Sequence, residues 1–405
     1  MYSISATDRT FLTMRRPPVA GFFLDFDGRA PSVDELARRV AARSGSLPAL
    51  TRLLPAGRAR YGSPHAAAVD PNAHVRHWRV PDGERALHDA CEALLTRELP
   101  GRARPPWDCR LLTQSSVAGR FRVCFRVHHA LTDGVGAAHS ALALLADTPV
   151  AGPPLYPDAG GGIRAGLCAV RETAAPALRP GPPWHALRRV TGPGGGARWT
   201  YGDVPLARLR ALADTHRTSV NDIALAALAL ALRSWSTELA LPDPPSPART
   251  LVAMSTRTPR QRLAPGNHIA FHRLHLPVTA ATLGTSAAEV RRQTDAVRRS
   301  HRRDALRALL DLPCPPASGS RALRAVVNTR LYPFAVSSVS FPQSFTCFGA
   351  RLSAASLFLH IGDDEQRPVY LSFTRTPDTV RCAVVTDVPR AHATALPRHW
   401  VRALG

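Results

Sequence analysis

The sequence has no lysine. Its 52 basic side chains are all arginine, against 30 acidic ones, which leaves a formal charge of +22 over 405 residues. Arginine used this exclusively, beside abundant Ala, Pro and Gly, carries the mark of a GC-rich coding bias, so the charge alone does not select a partner. It does favour anions: acidic carrier proteins, coenzyme phosphates, anionic lipid and nucleic acid all suit it. Cysteine is scarce as well. The seven thiols are odd in number and never spaced Cys-x-x-Cys, so no disulfide framework or zinc site is implied. No apolar run approaches the roughly 20 residues needed to span a bilayer. The opening stretch "MYSISATDRTFLTMRRPP" has neither the apolar run nor the cleavage site of a secretory signal. Together these absences predict a cytoplasmic protein, at most peripheral to the inner membrane face. Helix-turn-helix, zinc and basic–aromatic RNA motifs are also missing, so no specific nucleic acid is expected.

What remains is a chain of ordinary hydrophobicity, too long for one compact core, and therefore bilobal or two-domain. Strands are expected at 20–28, 74–81 and in a hairpin from Trp107 to His129, with helices at 34–43, 83–99 and 136–146. A Pro/Gly-rich stretch, 151–196, divides an N-terminal lobe (1–150) from a C-terminal lobe (197–405), with a short helical piece near 164–175. In the second lobe a helix from about Asn221, apolar on every side, reads as buried, capped by Ser219 or Asn221. Strands "TLVAMSTR" and "NHIAFHRLHLPV" follow, then a basic helical region at 286–310 and a tail that is mostly strand.

The chemistry-bearing segment is "FRVCFRVHHALTDGVG", residues 121–136. Strand alternation puts Phe121, Val123, Phe125 and Val127 on one face with His129, and Arg122, Cys124 and Arg126 on the other with His128. Only His129 continues the apolar face towards an interior or a cleft. A partly desolvated imidazole there suits a general base, which must be unprotonated at working pH. Asp133 has two readings, orienting His129 as in a triad or making a structural ion pair. Gly134 permits backbone geometry closed to other residues and lets a ligand approach its N–H. His128, His129 and Asp133 could compose a metal site, but adjacent strand residues point apart, so no metal is expected.

"HHALTDG" resembles the His-His-x-x-x-Asp-Gly signature of the coenzyme A-dependent acyltransferase superfamily, which includes chloramphenicol acetyltransferase and nonribosomal peptide condensation domains. Three further segments are similar to the bacterial wax ester synthase/diacylglycerol acyltransferase family: "RPPWDCRLL" with Trp107, "VNDIALAALALALRSW" with Asn221 and Asp222, and "STRTPRQRLAPGNHIAFHRLHLP" with Ser255, Arg257, Gly266 and Asn267. The resemblance implies an α+β fold of two chloramphenicol-acetyltransferase-like lobes, each a mixed sheet flanked by helices, with a tunnel between them. It implies acyl transfer from a thioester, acyl-CoA or acyl carrier protein as co-substrate, to a hydroxyl or amine acceptor. His129 would be the base, with no acyl-enzyme and no bound cofactor. His128, Asp133 and Gly134 complete the catalytic set, and Asn221, Trp107 and Asn267 are candidates for substrate binding. The Gly134 N–H and the Asn221 side chain are candidate oxyanion donors. Relatives pair the signature aspartate with an arginine, which here means Arg257 or Arg52.

Two departures bear on substrate rather than chemistry: the chain is shorter than typical members, and "SSVSFP" (337–342) keeps Ser337 and Pro342 but lacks the asparagine and the glycine of the family's Ser-Asn-Val-Pro-Gly-Pro. An O-acyltransferase is the leading expectation. A condensation-type enzyme of a natural-product pathway, served by an acidic carrier protein, is the alternative. A non-enzymatic basic surface binder is the third. Trp107 also reads as a packing residue, Asn221 and Asp222 as capping residues, Gly266 and Asn267 as a turn, and His139, His268, His272 and His275 as scattered structural or surface residues. The basic helix at 289–310 reads either as a solvated face or as a landing strip for phosphates, a carrier protein or a membrane.

Overall fold

A computed structural model describes residues 5–14, 17–54, 69–101, 103–117, 119–156, 187, 196–241, 247–299, 303, 332–361 and 369–405. Along the chain lie α1 (Ala6–Leu12), β1 (Val19–Asp27), α2 (Val33–Ser44), α3 (Pro71–His74), β2 (Val75–Arg79), α4 (Glu84–Thr96), β3 (Trp107–Thr113), β4 (Arg120–His128) and α5 (Gly134–Leu145). Then come β5 (Arg198–Pro205), α6 (Leu206–Thr215), α7 (Val220–Glu238), β6 (Ala248–Ser255), β7 (Ile269–Leu276), α8 (Leu283–Arg299) and β8 (Phe334–Ser340). The chain closes with β9 (Thr346–Cys347), β10 (Ala350–His360), β11 (Val369–Arg375), β12 (Thr379–Thr386), α9 (Arg390–Ala393) and α10 (Ala395–Ala403).

These elements form two units. The first comprises Met1–Pro157, Arg257–His268 and Val339–Gly362, and the second Asp158–Thr256, Ile269–Ser338 and Asp363–Gly405. A contiguous second lobe from 197 onward therefore differs from what is seen. Two later segments return to the first unit, because β10 inserts beside β1 as its antiparallel neighbour. Most of the expected linker, with its helical piece at 164–175, lies outside the described residues.

The first unit holds a six-stranded sheet in the order β2-β3-β4-β1-β10-β9, parallel only between β2 and β3 among the pairings that set it up. Its apolar face is Phe22, Leu24 and Phe26 of β1 with Phe121, Val123, Phe125 and Val127 of β4, packed in one core with residues of α2 and α5. Alternation here delivers a continuous apolar surface, and α5, rich in Ala and Leu, is buried against it.

The opposite face, which carries Arg122, Cys124 and Arg126, is buried too. Arg122 and Arg126 are 5% and 0% exposed. Arg126 donates from Nη1 to the carbonyls of Leu94 and Arg97 at the end of α4, and from Nε and Nη2 to Asp108. Arg110 shares the same Asp108 carboxylate, and Arg122 pairs with Asp25. A charged stripe is covered here because each guanidinium meets carboxylate or helix-terminal carbonyl oxygens.

The second unit has the sheet order β5-β12-β11-β8-β6-β7, with β6 and β8 parallel. Its core is built around α7, buried from Ile223 to Ala229 and again at Ala231, Leu232 and Trp235. Ser219 caps that helix, its Oγ accepting from Asp222 N while the Asp222 side chain returns to the Ser219 N–H. Asn221 is thus not the cap. The basic helix is α8, and the tail contains two helices, α9 and α10, that strand patterning did not anticipate. Among the described residues, no helix is long and apolar enough to cross a membrane.

Because Asp108 alone neutralises two buried guanidinia, Asp108→Ala is expected to destabilise the protein by about 3–5 kcal/mol, read as a lower denaturation midpoint.

Candidate active site

The signature occupies the junction where β4 stops and α5 begins. His128 is the last β4 residue, opposite Val19 of β1. Backbone bonds then fix the turn: His128 N donates to Pro106 O, His129 N to Pro18 O, and Leu131 N to His128 O, at 2.9 Å each. Asp133 is the N-cap of α5, its Oδ1 accepting from Gly136 N at 2.9 Å.

Asp133 is also half of a buried ion pair. Arg257 Nε donates to both carboxylate oxygens, at 3.0 and 2.9 Å, and the two side chains are 1% or less exposed. Arg257 spends its remaining donors on Gln261 O, Ala264 O, Thr132 Oγ1 and Gly266 O. The second carboxylate oxygen accepts from His268 N at 2.8 Å. Burial, the largest single effect, pushes the Asp133 carboxyl upward, but the charge and hydrogen bonds of Arg257, the Gly136 N–H and His268 together hold it below the usual carboxylate range. Of the two readings of Asp133, the geometry is that of the structural ion pair, and Arg257 rather than Arg52 is the guanidinium that meets it.

The loop carrying Arg257 runs beside the signature, with Gly266 bridged to Thr132 and its N–H on Leu131 O at 2.7 Å. Gly266 has φ of +86°, a left-handed turn that glycine adopts without strain. Asn267 follows and is 1% exposed. Its Nδ2 donates to His129 O at 2.7 Å and to Asp8 Oδ1 at 2.7 Å, so it holds protein backbone.

His129 is 7% exposed and its ring stacks on Phe11, centroids 4.3 Å apart. Burial lowers its pKa, against the pull of its own carbonyl, Asp133, Asn267 and Asp8. The imidazole is therefore neutral near pH 7. Its Nδ1 is sealed from solvent and has no partner of good hydrogen-bond geometry among the described residues. His128, 6% exposed, accepts at Nδ1 from Ala130 N, and burial takes its pKa down to about 3.

The remaining sequence candidates fall elsewhere. Trp107 is fully buried, its Nε1 donating to Leu50 O at 2.7 Å, and packs against His74 and Phe125. A side chain so enclosed is a packing residue, not a substrate contact. Asn221 belongs to the second unit, where its Oδ1 accepts from Ser338 Oγ at 2.6 Å. Gly134 has no left-handed backbone, and a Cβ there would meet Leu357 at an ordinary 3.4 Å. The position that requires glycine is Gly136, where a Cβ would collide with Thr132 Oγ1 and the Arg257 guanidinium. His139 and His268 take the structural reading: both are buried in the first unit, His139 accepting from Arg262 Nε and reduced to a pKa of about 4 by burial and the nearby Arg262 and Arg257. A cavity of about 470 Å³ beside Arg76, Arg97 and Arg110 is lined by none of the signature residues. Among the described residues, no group of three or more His, Cys, Asp or Glu is arranged to hold a metal ion.

Residues 12–161 match the family model of the wax ester synthase/diacylglycerol acyltransferase catalytic domain. A probable diacylglycerol O-acyltransferase of Mycobacterium tuberculosis is 27% identical over 243 residues, 49% of this chain and 50% of that protein. The chain thus spans about half the length of the curated relatives it matches. Among solved structures, the wax ester synthase/diacylglycerol acyltransferase of Marinobacter aquaeolei VT8 aligns with a TM-score of 0.68 at 19% identity, covering 100% of this chain and 98% of that one. The chain has the wax ester synthase fold. The starter condensation domain of rhizomide synthetase, solved with C8-CoA and Leu-SNAC, shares it at a TM-score of 0.59 and 16% identity, covering 100% and 92%. The expected α+β class, with two mixed sheets flanked by helices, is what both units contain.

Sequence reading missed Asp8, Phe11 and Gly136. "SATD" did carry a signal for the first, since Ser5 and Asp8 form a capping box on α1. Nothing local marks the other two.

The lowered histidines also predict a pH dependence. His128 and His139 bind protons more weakly folded, at pKa values of about 3 and about 4, than the 6.5 of an exposed ring. Below pH 6.5 the unfolded chain takes up more protons, so stability is expected to fall as the pH drops from 7 towards 4. Chemical denaturation across that range checks this, and His128→Gln should flatten the slope.

Proposed function

We propose that this chain is an acyltransferase that moves an acyl group from a thioester donor to a hydroxyl or amine, with His129 as general base. The observation that carries the reading is a neutral, buried imidazole, fixed by a stacked ring and a bound carbonyl, at the junction of β4 and α5. With Nδ1 sealed and beside its own carbonyl, Nε2 is the atom that accepts the proton. The acceptor's O–H or N–H gives up its proton to Nε2 as it attacks the thioester carbonyl. The tetrahedral intermediate then collapses, expelling the thiolate, which regains a proton from the imidazolium. No acyl-enzyme is needed.

The oxyanion requires preorganised donors. Gly136 N and Ala137 N are already committed to Asp133, whereas Gly134 opens α5 and its N–H has no acceptor within the helix. The Gly134 N–H is therefore the donor assigned here. Asp133 does not relay protons in this scheme. It holds the turn in shape and adds a negative charge that favours the imidazolium formed in the transition state.

Ester formation is the leading product class, on the likeness to diacylglycerol O-acyltransferases and a wax ester synthase. Acyl-CoA is the first donor to test, since a structural neighbour was solved with C8-CoA. A carrier-bound donor is the second reading, favoured by the departures at 337–342. A basic surface binder gains little from α8, where three of the four exposed arginines pair locally: Arg291 with Asp295, Arg292 with Glu289, and Arg298 with Asp295 and Asp222.

The test is product formation from acyl-CoA with long-chain alcohol, diacylglycerol and amine acceptors, by wild type and His129→Gln. The variant is expected to fold and to lose about 10²–10⁴ in rate. Turnover close to wild type in that variant overturns the assignment.

A further inference from the structure

The N-terminal helix α1 reaches His129 directly through Phe11 and indirectly through Asp8 and Asn267. Phe11 stacks on the imidazole at 25° between planes. Asp8, one turn earlier on α1 and 1% exposed, accepts at Oδ1 from both Asn267 N (2.9 Å) and Asn267 Nδ2 (2.7 Å). The Asn267 amide has two Nδ2 hydrogens, and its second bond is the one to His129 O. A chain of contacts therefore runs from carboxylate to amide to the backbone of the base.

We infer that Asp8 is a positioning residue for His129, acting through Asn267, so that α1 holds the base by its ring and by its carbonyl at once. This rests on the reading of His129 as the base.

The physical argument is one of orientation. An asparagine amide can turn over by exchanging its oxygen and nitrogen, and the turned form would present Oδ1 to the His129 carbonyl, acceptor against acceptor. A buried carboxylate facing Asn267 opposes that exchange, because it accepts hydrogen bonds and has none to donate to Oδ1, and a charge-assisted bond is the stronger kind. Ser5 N donates to Asp8 Oδ2 at 3.1 Å, which ties the carboxylate to the start of α1. Removing Asp8 leaves the amide unconstrained and the His129 peptide free to rock, and the ring rocks with it. Misplacement on that scale lowers the rate of the chemical step while leaving the substrate surface intact.

Asp133 and Asp8 both raise the His129 pKa through their charge, whereas His128, taken down to about 3, is neutral near pH 7. Loss of Asp8 removes one of the two negative charges, so the ring should titrate at lower pH in its absence.

The experiment compares full-length wild type with Asp8→Ala, Asp8→Asn, Asn267→Ala, the double variant and Ser5→Ala. Ser5→Ala weakens the α1 cap but keeps the Asp8–Asn267 contact, so it reports the cost of loosening the helix alone. Asp8→Ala and Asn267→Ala are expected to lower kcat about 10- to 100-fold with KM for donor and acceptor within about twofold. The double variant should lose no more than either single one, as expected for two links of one chain. Asp8→Asn keeps an acceptor for Asn267 and should fall between Asp8→Ala and wild type. Ser5→Ala should keep wild-type kcat whatever its melting temperature. Wild-type kcat in Asp8→Ala, or losses that track melting temperature equally in Asp8→Ala and Ser5→Ala, overturns the inference. NMR titration of the His129 ring separates this from the function itself. A lower midpoint in Asp8→Ala than in wild type supports the inference and an unchanged one overturns it, even if wild type turns over no thioester and the base assignment falls.

Discussion

The guanidinium of Arg257 is enclosed, and every one of its N–H groups meets an oxygen: the Asp133 carboxylate, the Thr132 hydroxyl and the carbonyls of Gln261, Ala264 and Gly266. A buried charge is tolerable only under such conditions, since the loss of hydration must be offset by a full set of well-directed partners. One side chain thereby joins the cap of α5, the turn after His129 and the loop that ends in Asn267. The geometry of the signature depends on it. Gly136 has no side chain because that guanidinium lies where a Cβ would be.

With Asp133 committed to this pair, the histidine and the aspartate of the signature have separate tasks. Asp133 is anionic, bound on both oxygens and makes no hydrogen bond to the imidazole among those resolved. Its influence on His129 is electrostatic and opposes burial. Burial is the larger effect, so the ring stays neutral and able to accept a proton. His128 is driven in the same direction, to about 3, and serves the turn through its bond to Ala130 N. Two adjacent histidines of similar burial thus differ in their partners, His128 accepting from Ala130 N while the His129 ring stacks on Phe11.

The same logic explains the arginine-rich face of β4. A surplus of arginine in the composition suggests a solvated or anion-binding surface, yet Arg122 and Arg126 are folded inward, Arg122 onto the Asp25 carboxylate and Arg126 onto Asp108 and the carbonyls at the end of α4. On α8 the exposed arginines are largely answered by acids on their own helix. Net charge describes the whole molecule and says little about which surface is available.

Local pattern was enough for the elements that hold the site. Period-two alternation from Phe121 to Val127 specified β4 and its apolar face, the Asp-Gly step marked the start of α5, and Ser219 with Asp222 wrote the start of α7, because such signals act between residues two to four positions apart. The resemblance carried by the His-His-x-x-x-Asp-Gly segment pointed to the fold. Tertiary structure alone decided that Arg257 and not Arg52 pairs with Asp133 across 124 positions, that Asn267 reaches Asp8 across 259, that Gly136 rather than Gly134 must lack a side chain, and that Trp107 is sealed in the core. Those outcomes depend on which segments the sheets bring together, and a buried polar group takes whichever partner the finished packing offers it.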